Sequence, residues 1–599
     1  MNPVNRLPLS VVAASGVAAC VCAAWMGAYF GTLFSGTAAL IACWLLFLAA
    51  LAVRPSRREC AAGAALGALF AAFRVAGYSY DTINSYRMIL KNGRTLVTAA
   101  LAGAALALAA AAAVVLLLAL FRRVLAHAAR GEEGNPRERR RLFALCGVLI
   151  FAGSLPYLLL YAPGTNIYDT HDQILQFFGY NSYIGDGSAL SDHHPVFLTV
   201  IYGGFMKLGL LLGDANIGQL TYSLASMAAI AICYAAALCA LYDAGLSGRA
   251  TLTLGAGIAL YPVLALYAFN MCKDVSVEPC VLLFVAQMIR LERSKGEIVR
   301  SKRYALGLFV NMLLLMLMRK SAAYALAFAA LLMIGRYRAV RLRLAALLLG
   351  ALALFAAGYT HLLLPALGVM PGEVRETLSI PFQQTTRYLL THGDDVTEEE
   401  AEAIAGVLDV EYAKAHYDPR LSDPVKDTSN PDMDAEDLGA YFSAWLSMGL
   451  RHPGVYLDAW LNMIYGYFYP SDSNTIVCLM LTSPDQGGIN LKHSPAFADA
   501  RLALHNLIYY TLRRLPGVSL LFYVDTVTWA FLFLLAVMIV RGGMGAVVPF
   551  AFFVGTLAIS LFSPKSGEIR YLMPILYALP LMLGAALLPD RHERIGGKE

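Results

Sequence analysis

PGTNIYDTHDQILQFFGYNSYIGDGSALSDHHPVFL, residues 163–198, carries four aspartates (Asp169, Asp172, Asp186 and Asp192) and three histidines (His171, His193 and His194) with no lysine or arginine. Apolar runs flank it on both sides, near 142 to 162 and from 196 onward. Lipid offers no partner for backbone polar groups and makes ionised side chains costly. A stretch this polar therefore belongs at a membrane surface or in a cavity that opens to water.

Composition supports a membrane setting for the whole chain. The 599 residues are 58% hydrophobic and only 15% charged, with a mean hydropathy of +0.60, too apolar for a soluble protein of this length. The net charge of +5 is small and sits in a few loops, so it reports topology and gives no nucleic-acid signal. Six of the ten cysteines (Cys20, Cys22, Cys43, Cys146, Cys233 and Cys239) fall in apolar runs, and no disulfide or zinc spacing appears. The first apolar run, to Phe34, is longer than a secretory core and reads as an uncleaved span.

At roughly 20 apolar residues per crossing, spans are expected near 10 to 32, 37 to 53, 60 to 78, 96 to 120 and 142 to 162. Further runs lie near 196 to 213, 217 to 242, 250 to 271, 277 to 291, 304 to 318, 321 to 335 and 344 to 366, and the last three near 518 to 540, 544 to 562 and 571 to 589. Arginine-rich loops at 54 to 59, 121 to 141, 290 to 303 and 336 to 343 are placed in the cytoplasm by the positive-inside rule. The 163–195 loop then lies outside, but counting fails by one crossing between Leu198 and Arg290. Either a break at Pro262 or a run at 196 to 213 that does not span repairs it.

Four units follow: a four-span module at 1–141 with a basic cytoplasmic loop, a membrane core at 142–368, a polar extracytoplasmic region at 369–517, and terminal spans with a tail at 518–599. In the polar region, Thr397 with Glu400 reads as a helix-opening capping box. Residues 452 to 470, rich in tyrosine and containing Trp460, suit a helix lying along the interface. The alanine-rich fourth span reads as ordinary lipid-facing packing.

Four polar groupings fall on the outer side of this topology. They are Asp169-Thr170-His171-Asp172-Gln173, Asp192-His193-His194-Pro195, Lys273-Asp274 with Glu278, and Lys565, Glu568, Arg570 and Tyr571. Arg319-Lys320 joins them, because the runs on either side of it end in cytoplasmic loops. A carboxylate at such a lip can take a proton from an acceptor hydroxyl, a contribution of roughly 10²- to 10⁴-fold. Nearby cations can hold a phosphate and stabilise the charge it gains on leaving. That pairing suits transfer of a sugar from a lipid phosphate, with Asp169 or Asp172 as base and Lys273, Arg319, Lys320, Lys565 or Arg570 on phosphate.

Plainer readings stand beside these. Asp192-His193-His194, with Asp169 or Asp172, could hold a divalent metal such as zinc or manganese, or the stretch could cap a helix with Pro195 in its first turn. Lys273-Asp274 could be a structural ion pair, Arg319-Lys320 a turn among headgroups, and Arg570-Tyr571 an interfacial anchor.

The acidic loop YDTHDQ, DHHP entering the next span, KD at 273 to 274 and the late RY at 570 to 571 together resemble the GT-C superfamily of membrane glycosyltransferases. The pattern is closer still to a group of bacterial multispan proteins with a YDT...Q...HHP loop and an LSIPFQQTTR-like stretch, here Leu378 to Arg387. The resemblance implies an all-α polytopic fold, a GT-C-like helical bundle of about 13 to 15 membrane segments with a partly helical extracytoplasmic region. It also implies a plasma-membrane enzyme, inverting in type, working on the extracytoplasmic face. The donor would be a polyprenyl-phosphate sugar and the acceptor a cell-envelope glycan, lipid or protein, among membrane lipids and without nucleic acid. By position it favours Asp169 as base with Asp172 second. Gln173, His193, His194, Lys273, Asp274, Arg319, Lys320, Arg387, Lys565 and Arg570 would line the substrate site. No cofactor is assigned, and a divalent metal at Asp172, Asp192, His193 or His194 is compatible. The sequence departs from the superfamily in having Gln173 where an acid is common, and in placing five spans ahead of the loop. The alternative reading is a transporter or flippase of a lipid-linked glycan, which should show charges along a mid-membrane path and internal repeats; neither is visible. A third is an assembly protein docking through residues 369–517.

Overall fold

The computed structural model describes residues 7–31, 36–128, 134–180, 190–472, 474 and 476–588. Among these the chain is almost wholly helical. Eight helices are long and apolar enough to cross a membrane, and four shorter apolar ones accompany them. The chain is thus built as an all-α multispan protein.

Four N-terminal helices, α1 (Leu9–Phe30), α2 (Thr37–Ala52), α3 (Arg57–Ile83) and α4 (Gly93–Ala128), pack on one another. Ser56 and Glu59 close a reciprocal capping box that starts α3. The alanine-rich α4 does more than face lipid. Its backbone lies so close to α3 that a Cβ added at Gly67 would stand 2.5 Å from the Ala107 carbonyl, the small-residue contact by which helices associate in lipid. The module meets the rest of the chain through the 2.7 Å Arg74–Asp525 ion pair and the Phe73–Phe468 stack.

The bundle that follows holds α5 (Pro136–Leu160), α6 (Tyr168–Phe178), α7 (Val196–Leu211), α8 (Ala215–Ala244), α9 (Gly248–Leu260), α10 (Pro262–Tyr267), α11 (Glu278–Arg293), α12 (Lys302–Met318), α13 (Ala322–Arg336) and α14 (Arg338–Ala366). Its connections resolve the parity problem. The end of α8 meets the basic loop, with Arg139 on Asp243 at 3.0 Å and the Ser247 amide on the Ala128 carbonyl. The start of α8 lies at the opposite end, beside the 163–195 loop, where Gln219 donates to the Thr165 carbonyl. Helix α7 turns back along that same half of α8: Tyr202 and Tyr222 both bond Ser276 Oγ at 2.6 Å. The run at 196 to 213 therefore does not traverse the bundle. With α7 kept at one end, every arginine-rich loop falls at the other. The run at 250 to 271 is also interrupted at Tyr261, because Pro262 starts a new helix.

Beyond α14 the polar region folds as short helices, among them α15 (Ser379–His392), α16 (Glu398–Val407), α17 (Ala435–Arg451) and α18 (Pro453–Ile464). The capping box at Thr397 and Glu400 is present. Residues 452 to 470 pack mainly against protein. Most of α18 is buried between α15 and the α3–α4 connection, with Asn462 donating to the Asn84 carbonyl at 2.9 Å and Trp460 to the Leu561 carbonyl at 3.0 Å. An amphipathic, tyrosine-rich helix suits a protein interface as well as a lipid one, and here buried polar contacts decide. Helices α19 (Val524–Gly542), α20 (Ala551–Ser560) and α21 (Ile569–Ala586) complete the bundle.

One small feature fixes the functional end. Strand β1 (Thr165–Asn166) pairs in parallel with β2 (Asn270–Met271), setting the start of α6 beside the turn that begins at Lys273. Gly164 makes this approach possible: at φ 141° it leaves no room for a Cβ, which would lie 2.1 Å from Ser223 Oγ.

Candidate active site

From β1 the chain turns directly into α6, and the Thr170 hydroxyl donates to the Met271 carbonyl, so the first turn of α6 is fixed on β2. Asp169 then points at Lys273, with Oδ2 2.8 Å from Nζ, and at Arg570 on α21, 3.5 Å away. The Lys273 ammonium also reaches His194 Nδ1 at 3.3 Å. Burial drives His194 well below the usual imidazole range, assisted by Lys273, so its neutral ring accepts this hydrogen bond. Burial pushes the Asp169 carboxyl up, but Lys273 and Arg570 outweigh it and hold the group well below the usual carboxylate range. Asp169 is therefore ionised.

A second layer continues from this pair. Arg319 Nη1 stands 3.5 Å from Asp274, and its other nitrogens donate to Ser321 Oγ and the Tyr571 carbonyl at 3.2 and 3.3 Å. Lys273 and Asp274 thus face different partners instead of each other. Glu278, one turn on, is fully buried, and neither carboxyl oxygen has a hydrogen-bond partner among the described residues. Lys320 donates to the Asp192 backbone carbonyl and stands 3.4 Å from its carboxylate. Burial pushes the Asp192 carboxyl up and the Lys320 amine down, drawing both toward their neutral forms. Glu568 accepts from Lys565 at 2.7 Å, lies 3.7 Å from Arg570 and caps α21.

Four of these groups, Lys273, Asp274, Arg319 and Lys320, line a cavity of about 320 Å³. Glu376 joins them on its charged side, and Phe552, Ile559, Phe562, Tyr571 and Pro574 form its apolar side. Phe562 is 65% exposed at one edge. Such a chamber fits a molecule with an anionic head and a greasy tail.

Other residues singled out in the sequence have different positions. Asp172, three residues further along α6, is buried, and its carboxylate accepts from Gln176 at 3.2 Å. Gln173 donates to the Pro195 carbonyl and to Thr199, tying the 192–195 turn to α6. Arg387 lies outside the cluster, on Asp458 and the Asn84 carbonyl, where it joins α15 and α18 to the N-terminal module. Pro195 immediately precedes α7. Asp186 falls outside the described residues.

Of the metal candidates, only His193 sits in a group with ligand spacing among the described residues, and its companions are Glu373 and Glu376, with ligand atoms within 4.8 Å of one another. Asp192, His194 and Asp172 are turned to Lys320, Lys273 and Gln176. Nothing in the sequence pointed to Glu373 or Glu376, which approach from the polar region across a long intervening stretch. Both already face cations: Glu376 is 2.6 Å from Lys426, and Glu373 pairs with Arg375. Burial raises the Glu376 carboxyl, but Lys426 more than reverses this and leaves it lowered.

Fold and site define a helical multispan membrane protein with a charged chamber at the end of its bundle opposite the arginine-rich loops. Residues 185–596 match the family of unknown function DUF6020, and the chain belongs to that family. The matched segment includes Lys273, Arg319, Lys320 and Arg570 and begins after Asp169. No curated protein and no solved structure matches the chain.

Proposed function

We propose that this protein is a glycosyltransferase of the GT-C type, which transfers a sugar from a polyprenyl-phosphate donor to a glycan, lipid or protein acceptor at the extracytoplasmic face. The observation that carries the reading is the three-way contact of Asp169 with Lys273 and Arg570 beside an amphipathic chamber. Lys273 lines the chamber and also grips the carboxylate, so an arriving phosphate competes with Asp169 for the same cations. Once phosphate takes Lys273 and Arg570, Asp169 loses the charges that keep it a weak base. It can then accept the proton of the attacking hydroxyl while the cations stabilise the departing lipid phosphate. Phe552, Phe562 and Pro574 supply the surface for the polyprenyl chain.

Transport of a lipid-linked glycan fits less well. A path would have to leave the chamber along α21, where Ile575, Leu576, Tyr577, Leu581 and Met582 are all packed in the interior. The deciding experiment follows transfer from a labelled polyprenyl-phosphate sugar in membranes bearing wild type or Asp169→Asn. A loss of at least about 10²-fold with normal expression is expected, and full activity in the variant removes the mechanism.

A further inference from the structure

A larger cavity, about 650 Å³, opens at the other end of the same bundle. It lies among the ends of α11, α13, α19 and α21, and its walls divide by chemistry. Met288, Met538, Phe550 and Ala585 make an apolar floor. Around it stand Arg293, Lys295, Arg336, Arg338 and Arg541, against the single acid Glu292.

That acid is already spent. Arg336 lies on one of its oxygens at 2.8 Å, and the Tyr337 hydroxyl donates to the other at 2.6 Å. Arg541 is fixed by donating to the Ala586 and Leu588 carbonyls at the end of α21. Lys295 is presented by a tight turn, at φ 52° before Gly296 at φ 88°. Lys295 and Arg338 are exposed and make no ion pair among the described residues. The pocket therefore combines two exposed cations, Lys295 and Arg338, with an apolar base at the level of the arginine-rich loops.

We infer that this cavity binds an anionic phospholipid, its phosphate against Lys295 and Arg338 and its acyl chain along Met538 and Phe550. Free phosphate could meet the same cations, but the apolar floor would then be left uncovered. Cationic pockets between helices on the basic side of a membrane protein select anionic headgroups in this way.

The test is native mass spectrometry of the full chain in mild detergent with an equal mixture of phosphatidylglycerol and phosphatidylcholine. Wild type should retain phosphatidylglycerol over phosphatidylcholine on the order of tenfold or more. The double variant Lys295→Gln/Arg338→Gln, altered only at exposed positions, should lose that preference at an unchanged melting temperature. Lys320→Gln, at the opposite cavity, should keep it. An undiminished preference in the double variant, its loss in Lys320→Gln, or displacement of the lipid by inorganic phosphate would each overturn the assignment.

Discussion

Lys273 Nζ stands 2.8 Å from Asp169 Oδ2, and the two residues come from segments joined by a parallel strand pair only two residues long. Each side chain is about a quarter exposed, so the contact contributes little to stability, roughly 0 to 1 kcal/mol. Its consequence is electrostatic: it keeps a carboxylate charged beside a lysine that lines the chamber.

A pH dependence follows from the lowered Asp169 carboxyl. A group held below its ordinary value stays ionised until pH falls through that lowered value. Wild-type transfer should therefore show no acid limb due to Asp169 above about pH 4. Lys273→Met removes the nearest cation and raises the carboxyl, so an acid limb should appear at higher pH in the remaining activity. The profile of rate against pH checks this, and identical profiles would count against it.

Asp172→Asn should retain most of the wild-type activity. Its carboxylate accepts from Gln176, which is no cation, and an asparagine oxygen can accept the same bond. If Asp172→Asn abolishes transfer while Asp169→Asn does not, the roles of the two acids are reversed.

Asp274→Ala should unfold more readily than Asp169→Asn. The Arg319–Asp274 pair is almost wholly enclosed, with side chains 10% and 3% exposed. Removing one partner of such a pair leaves a buried charge and costs about 3 to 5 kcal/mol. Thermal unfolding in detergent should show a clear drop for Asp274→Ala and almost none for Asp169→Asn.

Chelation should leave transfer unchanged. His193, Glu373 and Glu376 have ligand spacing, but Lys426 and Arg375 already neutralise both acids, which opposes capture of a cation. Activity measured before and after EDTA checks this. A loss restored by manganese or magnesium would show that a metal displaces those two cations.

Gly164→Ala should lower activity with the protein still inserted and folded. A Cβ there collides with Ser223 and shifts β1, and with it the first turn of α6 that aims Asp169. Transfer rate and detergent-extracted yield separate the two effects, and an unimpaired rate would show that β1 does not position the acid.

Much of this was legible in the chain itself, for a physical reason. Hydropathy and charge are summed over 20-residue windows, so the apolar helices and the common end of the arginine loops could be read without knowing any contact. Cap chemistry is equally local, and Ser and Thr followed three residues later by Glu mark helix starts whatever surrounds them. The four outer groupings were therefore placed at one end correctly, and Lys273, Arg319, Lys320, Lys565 and Arg570 do gather there with Asp169.

Which acid faces which cation could not be read this way, because helix rotation and strand pairing decide it. Asp169 and Asp172 lie three residues apart on α6, yet one meets Lys273 and the other Gln176. That α7 turns back instead of crossing depends on two tyrosines sharing Ser276. Arg387 holds helices together because Asp458 is brought to it from α18. Composition and period fixed where charge must lie relative to lipid, since that depends on solvation. Packing of distant segments alone chose the partners, since a hydrogen bond or ion pair is specific over only a few ångströms.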